Sequence, residues 1–295
     1  MGGPSSEREI SLKTGGAVTE GLRQAGYTTE PIIVSETAMF SLPKETEAVF
    51  VALHGTFGED GGMQRRLEHM GIPYTGSRPL SSEISFDKVR ARAAFEAAGV
   101  PVPPGYVLAP GTPIGVPQLD LPLVVKPPRQ GSSVGITCVK RSEDYAAAIA
   151  CARQYNDDVL VEAYIPGREW TVPIISGTCL PIIEITTQAT NGWYDWNAKY
   201  RSGGTTRYTF PEDDPANAAI ATVVRRAAKR AFEAVDAWSL GRVDFRISPE
   251  GHPFVLELNA IPGCTETSLL PKSAAKAGIP FPTLCAQIME DAKCG

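Results

Sequence analysis

The stretch from Gly241 to Pro271, GRVDFRISPEGHPFVLELNAIPGCTETSLLP, constrains the fold more than any other part of the chain. It reads as two strands joined by a turn at Ser248-Pro249-Glu250-Gly251, where proline presets the second position and glycine tolerates the fourth. A simple hairpin places Arg242, Asp244, Glu257 and Asn259 on one face, with Asp244 diagonal to Glu257. Two carboxylates and an amide on an otherwise apolar hairpin repel or stay unsatisfied unless a positive group sits between them. Mg²⁺ meets that need, since it takes oxygen ligands and is held by one or two carboxylates together with substrate phosphates. The competing reading is the solvated polar side of an amphipathic strand pair. Ile261-Pro262-Gly263 directly after Asn259 favours the metal, as a ligand strand running into a backbone turn.

Composition removes several function classes. A chain of 295 residues with 43% apolar content can bury a sizeable core, so disorder is excluded. Lys plus Arg number 28 against 33 Asp plus Glu, and a net charge of -5 argues against nucleic-acid or membrane-surface binding. The six cysteines, at 138, 151, 179, 264, 285 and 294, form no Cys-x-x-Cys pair and no cluster with the three histidines. A zinc site or disulfide framework is not expected, and a reducing cytoplasm is. No apolar run approaches bilayer-spanning length, and the N-terminus lacks the pattern of a signal peptide.

Taken in order, the chain opens on a Gly-Gly-Pro-Ser-Ser loop that feeds a helix, with Ser6 and Glu9 in capping-box spacing and Gly26 as its stop. Strands are expected at Pro31–Val34 and Ala48–Leu53, the second apolar throughout as in a buried parallel sheet. The glycine-rich loop from His54 to Gly62 then lies at a strand's carboxyl end, where open α/β sheets bind ligands. A helix from Ser85 carries Lys88 and ends at Gly99. The strand Leu123–Pro127 ends in Lys126 and enters Arg129-Gln130-Gly131-Ser132-Ser133-Val134-Gly135, a loop inside a hairpin. Lysine, hydroxyls and exposed amides there suit a phosphate cradle, though not the loop whose lysine follows its glycines. Val159–Ile165 with Glu162, followed by Glu169, suits an adenine and ribose pocket, or equally a strand leaving into a charged turn. The aromatic run Asn191–Tyr200 packs a lobe edge or, with Lys199 and Tyr200, forms a lid. Helices near Pro215–Ala237 and Thr283–Ala292 complete the expected elements.

These blocks, in this order and over nearly the whole chain, resemble the D-alanine–D-alanine ligase family of the ATP-grasp superfamily. The matching residues include Gly2–Glu9, Leu53-His54-Gly55, Glu59-Asp60-Gly61, Pro73–Gly76, Asp87-Lys88, Lys126-Pro127 with Gly131–Gly135, Tyr194-Asp195 with Ala198-Lys199-Tyr200, and Asn259 through Leu269. The resemblance implies an α/β chain with α+β lobes: a doubly wound N-terminal domain over 1–80, a central ATP-grasp lobe over 81–176 and a C-terminal lobe over 177–295. It implies ATP, D-alanine and two Mg²⁺ or Mn²⁺ ions as ligands, a homodimer, and no nucleic-acid or membrane partner.

By the same resemblance, Lys88, Lys126, Ser133 and Lys199 meet phosphate oxygens, and Asp244, Glu257 and Asn259 hold metal. Arg242 and the Gly263 amide face the oxyanion of the tetrahedral intermediate. Glu7 holds the first D-alanine's ammonium, with Ser132 and Tyr200 completing a hydrogen-bonded triad. His54, Ser268 and Leu269 belong to the amino-acid subsites, while Glu162, Ile165 and Glu169 take adenine and ribose. The family also has a strand of about seven residues before Gly2-Gly3. Met1 is therefore expected to be an internal methionine, or the strand to be absent, leaving a central sheet position empty and Glu7 without its anchor. Ala163 stands where the family often has lysine. Two other readings remain at this point: an ATP-grasp ligase for other amino acids, and a non-catalytic nucleotide-binding remnant.

Overall fold

A computed structural model describes residues 1–187 and 206–294; Lys199, Tyr200 and the expected lid lie outside the described residues. Helix α1 spans Arg8–Gln24. The expected Ser6–Glu9 capping box does not form, because Glu7 takes the cap position and its own amide donates to Ser5 Oγ at 2.9 Å. The expected strands at 31–34 and 48–53 carry only single parallel bridges, Gly2 to Val34 and Val49 to Tyr74. Helix α2 (Gly62–Met70) stops at Gly71, whose left-handed backbone caps it.

The single helix expected from Ser85 is two, α3 (Pro79–Phe86) and α4 (Lys88–Ala97). Asp87 divides them: its backbone is extended and its carboxylate accepts from the amides of Val89 and Arg90, which caps α4 and fixes Lys88 in its first turn.

A four-stranded antiparallel sheet follows, from β1 (Gly105–Leu108), β2 (Leu123–Lys126), β3 (Thr137–Val139) and β4 (Val159–Ala163), with α5 (Tyr145–Ala152) packed on it. Its order is β1-β4-β2-β3, so the glycine-serine loop does join a hairpin, β2 to β3. The second sheet contains β5 (Arg168–Ile175), β6 (Thr178–Cys179), β7 (Ile183–Thr187) and β8 (Thr206–Thr209). After α6 (Ala218–Ala234) it gains β9 (Leu240–Ile247) and β10 (Pro253–Asn259), in the order β10-β9-β5-β7-β8 with β6 on β5. Glu169 pairs with Arg246 inside β5 and is no turn residue; the first sheet's last strand ends at Ala163 and the second sheet begins at Arg168. Helices α7 (Leu269–Lys276) and α8 (Phe281–Glu290) close the chain.

The largest core lies where α6 and α4 cover the second sheet. Val224, Ala228 and Phe95 meet Trp170, Val243 and Phe245, and all are fully or almost fully buried. Each large apolar side chain in such a position contributes about 2 kcal/mol. That rigid sheet carries the hairpin β9–β10, and here the sequence reading needs a correction. The turn closes as expected, with Gly251 N donating to Ser248 O at 2.9 Å, but the register shifts between Val255 and Glu257. This bulge sets Glu257 directly opposite Asp244, not diagonal to it, and Asn259 opposite Arg242.

Candidate active site

A cavity of about 340 Å³ collects residues from distant parts of the chain. Glu7 and His54 reach it from the N-terminal lobe, and Lys88, Gly131 and Ser132 from the central one. Arg242, Glu257, Asn259, Gly263, Ser268 and Leu269 line it from the C-terminal side. Of the residues singled out in the sequence, these eleven are brought together.

Ser132 Oγ donates to Glu7 Oε1 across 125 positions of sequence. Two local features allow it. A Cβ on Gly131 would stand 2.9 Å from Glu7 Oε2, so any larger residue there would push the Glu7 carboxylate from its place. Ser132 and Ser133 then adopt φ of 50° and 61°, left-handed conformations that a non-glycine residue holds at a cost of about 1–3 kcal/mol. On the other side of Glu7, buried His54 lies 3.0 Å from Thr14 Oγ1 and 3.4 Å from Glu59 Oε1. Burial pushes the Glu59 carboxyl above its ordinary range, and the His54 hydrogen bond pulls it partly back. Glu59 and Thr14 received no role from sequence; the signals for Glu59 were its place in the matching block Glu59-Asp60-Gly61 and the His-x-x-x-x-Glu spacing after an expected apolar strand.

On the hairpin face, Arg242 grips Asp244 bidentately, Nε to Oδ1 at 2.9 Å and Nη2 to Oδ2 at 2.8 Å, while the Thr171 hydroxyl donates to the same carboxylate. Lys88 Nζ stands 3.2 Å from Glu257 Oε2 and donates to Gln130 O at 2.7 Å, so it joins the metal-type face to the loop. Asn259 Oδ1 accepts from Ile261 N at 3.1 Å and holds the turn that leads to Gly263. Among the described residues no group of three His, Cys, Asp or Glu side chains gathers to hold a metal. Asp244, Glu257 and Asn259 supply two carboxylates and an amide oxygen, a hard donor set that fits Mg²⁺ once phosphate oxygens share the ion. Beyond the turn, Ser268 precedes the first residue of α7 and its Oγ accepts from Thr265 N at 3.0 Å. The free amides of that first helical turn suit a carboxylate.

The sequence pattern described as "D-ala D-ala ligase C-terminus" matches residues 111–290, and "D-ala D-ala ligase N-terminus" matches 38–77. The chain belongs to the D-alanine–D-alanine ligase family. It is 44% identical over 289 residues to the D-alanine–D-alanine ligase of Methylacidiphilum infernorum, covering 98% of this chain and 92% of that one. It is 43% identical to that of Alkalilimnicola ehrlichii, covering 99% and 93%. The crystal structure of the Bacillus anthracis D-alanine–D-alanine ligase complexed with ATP superimposes with a TM-score of 0.84 at 33% identity, over 99% of this chain and 94% of that one. The ATP-grasp fold expected from the sequence rests on that match.

In this ligase-family chain, five of the residues expected from the sequence to meet the nucleotide lie outside the cavity lining. Lys126, Ser133, Glu162, Ile165 and Glu169 are not among its lining residues. Buried Lys126 and Glu162 form an ion pair between β2 and β4, and Arg92 Nη1 reaches the same Glu162 at 2.9 Å. The Ile165 carbonyl accepts from Arg246 Nε at 3.1 Å, and Arg246 stands 3.5 Å from Glu169 and over the Tyr164 ring. Arg92 and Arg246 escaped the sequence reading because their partners lie 70 and 81 positions away.

Proposed function

We propose that the chain joins two D-alanines into D-alanyl-D-alanine at the expense of ATP, a step in making peptidoglycan precursors. The observation that carries this reading is the convergence of Glu7, Ser132, Lys88, Arg242, Glu257 and Gly263 on one cavity in a chain of this family.

A free carboxylate is a poor acyl donor at neutral pH. Its oxygen attacks the γ-phosphorus of ATP, the bond to ADP breaks, and an acyl phosphate results. The amine of the second D-alanine then attacks the acyl carbon; the amide bond forms, phosphate leaves with the bonding pair, and the amine gives up its proton. Glu7, held by Ser132, pairs with the first substrate's ammonium, and the α7 amides at Ser268 and Leu269 take the second substrate's carboxylate. Arg242 and the Gly263 amide face the oxyanion. Lys88 and Lys126, with Ser133, neutralise phosphate oxygens, and Lys199 and Tyr200 are assigned to the lid. Mg²⁺ or Mn²⁺, held by Asp244, Glu257 and Asn259, would withdraw charge from the β- and γ-phosphates. Glu162, Ile165 and Glu169 take adenine and ribose.

The same reading includes a homodimer, on family resemblance, and a cytoplasmic setting, which the six free thiols and the ATP requirement support. Separately, no described helix is long and apolar enough to cross a membrane.

Incubation with ATP, Mg²⁺ and D-alanine is expected to yield D-alanyl-D-alanine, ADP and phosphate in equal amounts. A panel of other amino acids, and D-lactate as second substrate, tests the specificity. Depsipeptide without dipeptide, or product only from another amino acid, would overturn the assignment.

A further inference from the structure

Strand β9 carries one more polar group than the proposed reaction uses. Arg242, Asp244 and Arg246 alternate along one side of it, half-buried, while Val243, Phe245 and Ile247 face the core between them. Four residues of strand cover about 13 Å, a length that an extended nucleoside triphosphate spans. Arg242 and Asp244 stand at the reacting end of that face, and Arg246 stands at the other.

Arg246 fastens the linker between the two sheets. Its Nε donates to Ile165 O at 3.1 Å and its Nη2 to Gly167 O at 3.0 Å, so one guanidinium straddles two carbonyls that belong to no strand. Nη2 also reaches the Tyr164 hydroxyl at 3.4 Å, with the guanidinium carbon 5.6 Å from the centre of that ring. Directly across the sheet in β5 is Glu169, whose Oε2 lies 3.5 Å from Arg246 Nη1. Gly167, at a φ of 110°, lets the linker lie against β9, where a Cβ would strike the Ile247 carbonyl. On the side of the first sheet, Ala163 N donates to Pro104 O at 2.8 Å and Tyr164 N to Pro122 O at 3.1 Å. The next amide, that of half-buried Ile165, has no acceptor among the described residues. A donor left open between fastened peptide groups asks for an acceptor on a ligand.

We infer that Arg246 is a positioning residue for the nucleotide base. By holding the Ile165 and Gly167 carbonyls it presets the Ile165 amide as the donor that reads the base, and by pairing with Glu169 it presets the carboxylate that takes the ribose. This rests on the proposed place of adenine at Ile165 and of ribose at Glu169. Adenine offers an acceptor at N1, which a fixed amide donor meets. Guanine carries N1–H at the same place, and two donors oppose each other. Preference for ATP over GTP is then a property of the guanidinium fork, because a linker free to turn its peptide groups can offer guanine an acceptor. Lysine does not replace the fork: its ammonium is a point charge that still reaches a carboxylate but does not fix two carbonyls in one geometry.

The test measures ATP and GTP binding, each with Mg²⁺ and without D-alanine, by titration calorimetry of the full chain and of Arg246→Ala and Arg246→Lys. The unaltered chain is expected to bind ATP more tightly than GTP. Arg246→Ala should bind ATP about tenfold more weakly or worse, with GTP little changed, so that the preference collapses. Arg246→Lys should recover part of the ATP affinity through Glu169 but not the preference. In dipeptide synthesis, KM for ATP should rise in both variants while KM for D-alanine stays within about twofold. Unchanged ATP affinity or an unchanged preference in Arg246→Ala overturns the inference, as does full preference in Arg246→Lys. A parallel weakening of ATP, GTP and D-alanine marks a merely structural residue and overturns it too. Should Arg246→Ala fail to fold, the preference measured in Arg246→Lys decides alone. An unaltered chain that binds no ATP sinks the assignment of Ile165 and Glu169 and this inference with it, whereas full ATP binding by the variants removes only the role of Arg246.

Discussion

At the scale of single residues, the cavity is organised by charges that compensate one another across lobes. Lys88 sits between Glu257 and the Gln130 carbonyl, so one ammonium registers the metal-type face against the glycine-serine loop. Glu257→Gln keeps the shape and removes the charge; it is expected to abolish Mg²⁺-dependent phosphoryl transfer while the fold survives, read by phosphate release alongside circular dichroism. Ser132→Ala deletes one hydrogen bond to a charged group, about 1.5–3 kcal/mol. If Glu7 is positioned for the reaction by that bond, kcat/KM for D-alanine should fall roughly tenfold to a hundredfold. A steady-state titration of D-alanine checks it.

At the scale of elements, Asp87 ties together three pieces that sequence spacing treats as separate. It caps α4 and accepts from Arg129 Nη1 at 2.9 Å, while Arg129 Nη2 reaches Asp158 Oδ1 at 2.6 Å. Helix α4, the start of the glycine-serine loop and the approach to β4 are thereby clamped beside Lys88. Asp87→Ala is expected to lower stability by about 1–2 kcal/mol through the lost cap. It should also raise KM for ATP as Lys88 loses its setting. Asp87→Asn keeps the cap and removes the negative charge that faces Arg129, so it should fall between the unaltered chain and Asp87→Ala. Urea unfolding and ATP titration of both variants separate capping from clamping.

At the scale of the whole molecule, pH acts on stability through the N-terminal lobe. Burial and the neighbouring Arg8 lower the Met1 ammonium from 8.0 to about 6. The unfolded chain then binds more protons between these values, so this group's contribution is full above pH 8 and is lost as pH falls through 6. Its size is about 2–3 kcal/mol. Glu59, raised by burial, works in the opposite sense: its contribution is present below its ordinary range and is lost as pH rises through its folded value. Acetylating the Met1 amine should therefore remove the rise in stability between pH 6 and 8 and leave the Glu59 effect. Denaturant midpoints of free and acetylated chains across that interval measure it.

The sequence by itself determined the hairpin at Gly241–Pro271, the loop at Gly131–Gly135, about half of the residues that line the cavity and the family. These signals are local: turn chemistry, alternation, glycine where the backbone must bend, and ordered motif blocks. Tertiary structure alone decided the register that sets Glu257 opposite Asp244, because a bulge follows from twist and packing across the sheet and leaves no composition mark. It alone divided the expected helix at Asp87 and moved Glu169 into β5. Partners such as Arg92 with Glu162, or Arg246 with the Ile165 carbonyl, are set by how the sheets are arranged in space, and no spacing along the chain encodes them.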